Sequence, residues 1–350
     1  MSRLARYVAT TVTGAVLGVL LALLALDLLL AFLGEMDNLT ATYRMKDVLV
    51  QVFLQAPASL YELIPIASLI GVLVGLGVLS GNSEITVMRA AGLSPLKIVG
   101  YTFIPALFFA ASCLALAQWV VPSSESMAQA RKAQALGDHA LRGYWQREGE
   151  EFVHIAAVLG NGRLQGVAFY HYSPDGTLLD VSSASQAHFT LSGWNLGNWQ
   201  ESRIAADGSV DVQRDPSHLW DTSLTPQFLA MAAVEPDFQS PVQLYRYAHY
   251  LLGQGLDAAP YQLEFWKKIM QPVATLAMVL LAASIMFGPL RSVTMGLRLI
   301  AGVFLGLGYR YGQDFFGFAS LIYHFSTFWG AALPAVMATV AGLVALLRVR

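Results

Sequence analysis

The chain of 350 residues has one cysteine, Cys113, and it lies inside an apolar run. A single thiol excludes an intrachain disulfide and a thiolate metal cage. Charge is scarce too: Asp, Glu, Lys and Arg make up 13% of the residues, about half of what a soluble domain carries. No G-x-x-x-x-G-K-[ST], H-E-x-x-H or G-x-S-x-G occurs. The chain therefore cradles no ATP through a P-loop, and nothing advertises a catalytic centre. The seven histidines are scattered, which suits structural or surface roles better than metal ligation.

What is abundant is apolar length. Six windows can cross about 30 Å of hydrocarbon: Val8–Leu33, Leu60–Leu79, Ile98–Val121, Ile269–Phe287, Leu299–Phe318 and Phe328–Leu347. The first is longer than a signal-peptide core and no small-residue cleavage site follows, so it is expected to be a retained span. Gly71 with Gly75, and Gly302 with Gly306, have the spacing that lets helix backbones approach closely. Packing within this chain is their simplest use.

Between the third and fourth windows the pattern changes. Residues 122–260 hold 15 acidic against 8 basic residues, whereas the remainder holds 8 against 13. Five β-rich runs, "EFVHIAAV", "LQGVAFYHY", "TLLDVSSASQAHFTL", "WNLGNWQESRI" and "SVDVQR", roughly alternate in polarity. Asn161-Gly162, Asp175-Gly176 and Asp207-Gly208 punctuate them as tight turns do. Helical stretches flank them at Ser124–Ala140 and Val242–Leu251. Such strands suggest a sandwich or open barrel, with Tyr170, Tyr172, Phe189, Trp194 and Trp199 filling it. The expected domains are 1–121 (three spans), 122–260 (an all-β domain with flanking helices) and 261–350 (three more spans).

Basic residues set the orientation. Arg3, Arg6, Arg89, Lys97, Arg291, Arg298, Arg348 and Arg350 lie on one side, against Arg44, Lys46, Lys267 and Lys268 near the other. Both termini are thus expected in the cytoplasm, with 122–260 on the far side of an inner membrane and Trp119, Trp266 and Trp329 as anchors at that boundary.

On the basic side, "GNSEITVMRAAGLSP" (81–95) is too polar for lipid, yet it reads as a two-turn helix. Asn82 and Ser83 suit its N-cap, Glu84 its first turn, Gly92 its end, and Ser94-Pro95 opens the next helix. Ile85, Met88, Arg89 and Gly92 recur at helical spacing. An apolar strip with a carboxylate and a guanidinium fits a groove on a partner. A helix lying on headgroups would carry more lysine.

"IPIASLIGVLVGLGVLS" followed by "SEITVMRAAG", then "FWKKIMQPVATLAM" and "FGPLRSVTMGLR", resembles the lipopolysaccharide-export permease family LptF/LptG over the whole chain. "FGPLRS" and the W-x-K-I-x-Q-P pattern at 266–272 tilt the resemblance to its LptG branch. The resemblance implies a jellyroll-like periplasmic domain, and an ABC transporter permease for outer-membrane biogenesis that extracts lipopolysaccharide from the inner membrane. It implies an LptF-like sibling, a dimer of an LptB-like ATPase holding ATP and Mg, and an LptC-like single-span protein leading to a periplasmic bridge. Membrane lipids surround the assembly; no nucleic acid and no cofactor of the chain's own are implied. Residues 83–92 would be the coupling helix, docking through Glu84, Ile85, Met88 and Arg89.

Lipopolysaccharide has acyl chains below and phosphorylated sugars above. Its site needs apolar walls and a cationic rim. The rim candidates are Arg44, Lys46, Arg131, Lys132, Lys267 and Lys268. The lysine that relatives carry near position 34 is missing; Gly34 and Glu35 stand there. Arg310, inside the fifth window, is the expected replacement, with Asp314 or Asp27 as its alternative structural partner. Two other classes stay open from the residues: a permease that only transmits force, and an intramembrane enzyme. The charges Asp27, Glu62 and Arg310 form no familiar catalytic set.

Overall fold

The computed structural model of the chain describes every residue except 1–2, 41–42, 137–143, 149–150, 160–162, 174–175, 191–192, 205–208, 221, 223–224, 227–228, 230–234, 254, 288–292 and 349–350. Arg291, Arg350, most of "FGPLRS", and the turn residues Asn161, Gly162, Asp175, Asp207 and Gly208 lie outside the described residues. The chain divides into two compact units, one of Met1–Gln129 with Pro236–Arg350 and one of Ala130–Glu235.

The first unit is helical: α1 (Arg3–Met36), α2 (Met45–Gly81), α3 (Glu84–Ala90), α4 (Pro95–Ala115), α6 (Pro241–Gly253), α7 (Ala259–Phe287), α8 (Met295–Ile322) and α9 (Thr327–Leu347). α5 (Val121–Leu136) runs across the boundary between the units. Among the described residues, five helical stretches are long and apolar enough to cross a membrane: α1, α2, the run Pro95–Lys132, α7 and α9. The sixth expected span is α8. Its 28 residues reach about 42 Å at 1.5 Å per residue, but Arg310, Gln313 and Asp314 interrupt its apolar run. The third span also differs from expectation. Instead of ending at Val121, the helix passes through a π-helical stretch, Leu116–Val120, straight into α5. Such a bulge inserts a residue without ending a helix.

α2 is the axle of this unit. Its Ile64, Leu69, Leu73, Leu76 and Leu79 are almost wholly buried. A Cβ at Gly71 would strike the Val16 backbone of α1, and one at Gly75 would lie 3.0 Å from Val12 Cα. From α8, a Cβ at Gly302 would meet Leu73 and one at Gly306 would come within 3.1 Å of Ile66 Cγ2. Both glycine pairs therefore pack helices inside the chain, as expected. Lipid supplies no hydrophobic drive between helices, so close backbone approach supplies dispersion instead. Three buried hydroxyls turn to their own helices: Thr102 donates to Val99 O at 2.7 Å, Thr275 to Gln271 O at 3.0 Å and Ser320 to Gly317 O at 2.7 Å.

The second unit is a sheet of six antiparallel strands in chain order: β1 (Tyr144–Glu148), β2 (Glu151–Leu159), β3 (Arg163–Tyr172), β4 (Leu178–Thr190), β5 (Gly193–Ile204) and β6 (Val210–Trp220). All five β-rich runs are strands; β1 is an addition. Phe169 is the hub of its apolar face, packing edge-on to Trp199 and Trp220 at 5.4 and 5.1 Å between centroids. Trp194 and Trp199 are buried as expected, but Phe189 is 43% exposed and Tyr170 and Tyr172 are only half-buried. The alternation of β3 puts Val167 and Phe169 inward, which turns Tyr170 to the other face.

Candidate functional site

α3 is seven residues long and too short to hold itself in place. Core burial and a backbone stop hold it. Ile85 and Met88 are buried in the core of the helical unit. At its end Gly92 N donates to Arg89 O at 3.0 Å and Leu93 N to Met88 O at 3.1 Å. This is a Schellman stop, and Gly92 has the positive φ, 90°, that it needs. Ser94 then caps α4 by accepting from Lys97 N, with Pro95 at the first position. The start departs from expectation. Ser83 sits in the left-handed region (φ 61°) and its side chain makes no cap bond. Glu84 instead accepts from Tyr7 Oη of α1 at 3.1 Å and from Asn82 Nδ2 at 3.4 Å.

These contacts correct part of the docking surface. Ile85 and Met88 do not form an outward strip; they anchor the helix, since a two-turn helix must bury its apolar face to persist. Thr86, Val87, Arg89 and Ala90 are exposed, Val87 at 66%, and Glu84 is half-buried beside them. The Tyr7–Glu84 bond also places α3 and the start of α1 at the same end of the bundle.

A second site lies towards the opposite end of α2. A cavity of about 110 Å³ is walled by α2, α7, α8 and the segment Asp237–Phe238. Arg310 reaches into it from α8. Its Nη1 donates to Glu62 Oε2 of α2 at 2.8 Å, and its Nε lies 3.7 Å from Asp314 Oδ2. Asp314 is a partner as anticipated, but Glu62 is the nearer one, and Asp27 is not among these contacts. Lys267 donates to Glu264 at 2.6 Å. Lys268 is 97% buried, being 3% exposed, and donates to the Asp237 carbonyl at 2.7 Å with its ammonium 5.6 Å from the Tyr61 ring centroid.

The wall also explains a proline. Pro65 lies inside α2 and has no N–H, so the Tyr61 carbonyl one turn earlier loses its helical donor. Gln271 of α7 supplies one, with Nε2 3.3 Å from Tyr61 O. Adjacent α2 residues, 61 and 62, are thus gripped from two different helices.

Of the expected rim, Arg310, Lys267 and Lys268 converge on this cavity. Arg44, Lys46, Arg131 and Lys132 are not among its lining residues; Arg44, Lys46 and Arg131 are exposed, and Arg44 N donates to Asp47 Oδ2 at 3.0 Å. Glu35 accepts from Tyr43 Oη at 2.9 Å and Asn38 Nδ2 at 3.2 Å. Burial first, and then that bond, push the Tyr43 phenol well above its ordinary pKa. Glu35 thus pins the α1–α2 turn. Sequence reading missed Glu62 as Arg310's partner and Gln271 as a donor. The signals were a carboxylate three residues before an internal proline, and a glutamine inside an apolar span.

The family described as lipopolysaccharide export system permease LptF/LptG matches residues 6–348. The lipopolysaccharide export system permease protein LptG of Escherichia coli (strain K12) is 32% identical over 350 residues, which cover 98% of this chain and 97% of that protein. The LptG protein of Haemophilus influenzae is 30% identical over 347 residues, covering 96% of each.

Proposed function

The chain belongs to the LptF/LptG family of lipopolysaccharide export permeases, and from that premise we propose how its two sites serve export. It is a permease subunit of the lipopolysaccharide export system, not itself an enzyme, and works in a transporter complex with a sibling permease. Its full-length relatives are LptG proteins, which favours this reading over the sibling LptF and over a permease that only transmits force.

In our reading both termini and α3 face the cytoplasm, and the sheet unit faces the periplasm, where an LptC-like protein receives the substrate. α3 docks on an LptB-like ATPase dimer, which binds ATP and Mg. One observation carries this: a short polar helix between apolar spans is fixed from behind by Ile85 and Met88 while Glu84, Val87 and Arg89 stay accessible. A helix anchored that way transmits a push to α2. Glu84→Ala should then reduce both copurification of the ATPase and export. Tyr7→Phe removes only the internal bond and should leave ATPase capture intact. A Glu84→Ala complex that assembles and hydrolyses ATP like the parent would refute the docking role.

The head-group ligand we assign is Arg310, with Lys267 beside it. Lys268 is committed to the Asp237 carbonyl, and burial removes it from the rim. An arginine fork on the cavity wall suits a lipid A phosphate. Crosslinking of lipopolysaccharide to the purified complex should fall in Arg310→Glu, and unchanged crosslinking at normal assembly would remove this assignment.

A further inference from the structure

The cavity already contains an anion where a substrate phosphate would bind. Arg310 is matched by Glu62 across the helix interface and by Asp314 on its own helix. The Arg310 and Glu62 side chains remain 42% and 50% exposed, so the pair is open to exchange and is not locked by burial. A pair this exposed is worth little to the fold itself. One residue earlier, Tyr309 is only 9% exposed and lines the same cavity. Its hydroxyl has no hydrogen-bond partner among the described residues. A buried hydroxyl without an acceptor is unfavourable. Arg310 lines the same cavity, so an acceptor bound there has both donors within its walls. Glu62 satisfies Arg310 and leaves Tyr309 unmatched. A phosphate, with three acceptor oxygens, can take both donors.

We propose that Arg310 exchanges Glu62 for a phosphate of the exported glycolipid, that the Tyr309 hydroxyl binds the same phosphate, and that Glu62 is the cavity's resident competitor. This rests on the assignment of Arg310 as a head-group ligand. The exchange also releases α8 from α2 at residue 62, while Gln271 keeps its grip on residue 61.

The test is binding of lipopolysaccharide, and of the same glycolipid with its phosphates removed, to the purified complex in nanodiscs. Glu62→Gln removes the competitor. It should tighten binding of the phosphorylated form about two- to fivefold, the range an exposed ion pair supports, and leave the dephosphorylated form unchanged. Glu62→Ala should do the same if the glutamine variant assembles poorly. Tyr309→Phe gives opposite signs in two readouts: equal or higher thermal stability, but several-fold weaker binding of the phosphorylated form alone. A purely structural tyrosine would not split them. Arg310→Gln should bind both forms equally. If Arg310→Gln abolishes the preference for phosphate but Glu62→Gln fails to tighten binding, the exchange is wrong and the head-group assignment survives. If Arg310→Gln keeps the preference, both fall. Phosphatidylglycerol separates the lipid sources: competition as strong as the glycolipid's own would overturn the assignment to glycolipid phosphate.

Discussion

Gln271→Leu should destabilise the helical unit through a carbonyl 210 residues away in the sequence, in α2. The leucine fits an apolar span and keeps similar volume, so packing alone predicts little change. The Tyr61 carbonyl, however, loses the donor that replaces the missing N–H of Pro65. Leaving a buried acceptor unmatched costs about 1–3 kcal/mol. Interhelical hydrogen bonds in membranes average only about 0.6 kcal/mol, because the separated helices also find partners. The 3.3 Å length argues for the lower half, so we expect a loss of about 1 kcal/mol. The decisive measurement is a double-mutant cycle. Pro65→Ala restores an N–H at position 65, and in that background Gln271→Leu should cost almost nothing. Stability can be read as the midpoint of unfolding in mixed detergent and SDS, on the intact chain. Additive single effects would refute the reasoning, because they would show that Gln271 does not serve the carbonyl that Pro65 exposes.

Two further outcomes follow from the packing. Gly71→Leu should disrupt the α1–α2 interface, since even its Cβ would strike the Val16 backbone; detergent-stable folded protein should fall sharply, whereas Gly14→Ala, where a Cβ meets nothing within 4 Å, should be neutral. Phe169→Ala should cost the sheet about 3–5 kcal/mol, because it empties the contact with both Trp199 and Trp220; limited proteolysis should accelerate within residues 144–220, and unchanged resistance there would contradict its place as hub.

Local signals were legible because they are written in neighbouring residues. Gly92 ends α3 since a glycine takes positive φ at no steric cost, and Pro95 opens α4 since its lost N–H would be unpaired there anyway. The five strand runs were legible from their alternation. Their phase was not: Phe169 and Tyr170 are both plausible inward residues, and only the packing of β3 against Trp199 and Trp220 decides. The sequence put Ile85 and Met88 on one face of α3, but whether that face meets a partner or the chain's own core depends on the packing of the helical unit. Most of all, the cavity is non-local. Arg310 and Glu62 are 248 residues apart, and Gln271 and Tyr61 are 210 apart. Spacing suggested Asp314, at i,i+4, and it is indeed a partner; no spacing rule could have supplied Glu62.

The arrangement along α2 accounts for why one helix connects the two sites. Its C-terminal end turns directly into α3, whose burial ties it to the helical core. Its middle is held by glycine contacts, Gly71 and Gly75 against α1, and Gly302 and Gly306 of α8 against Leu73 and Ile66. Those contacts are backbone-close and resist sliding. Above Pro65 the holding changes kind: Gln271 grips a carbonyl and Arg310 grips a carboxylate. A displacement at α3 would pass through the glycine-packed segment to a proline where one helical hydrogen bond is missing and α7 supplies the donor instead. The polar contacts there can exchange partners without opening apolar surface, which the glycine contacts cannot. In the proposed docking role, movement imposed from α3 would be expressed at residues 61 and 62, which line the cavity.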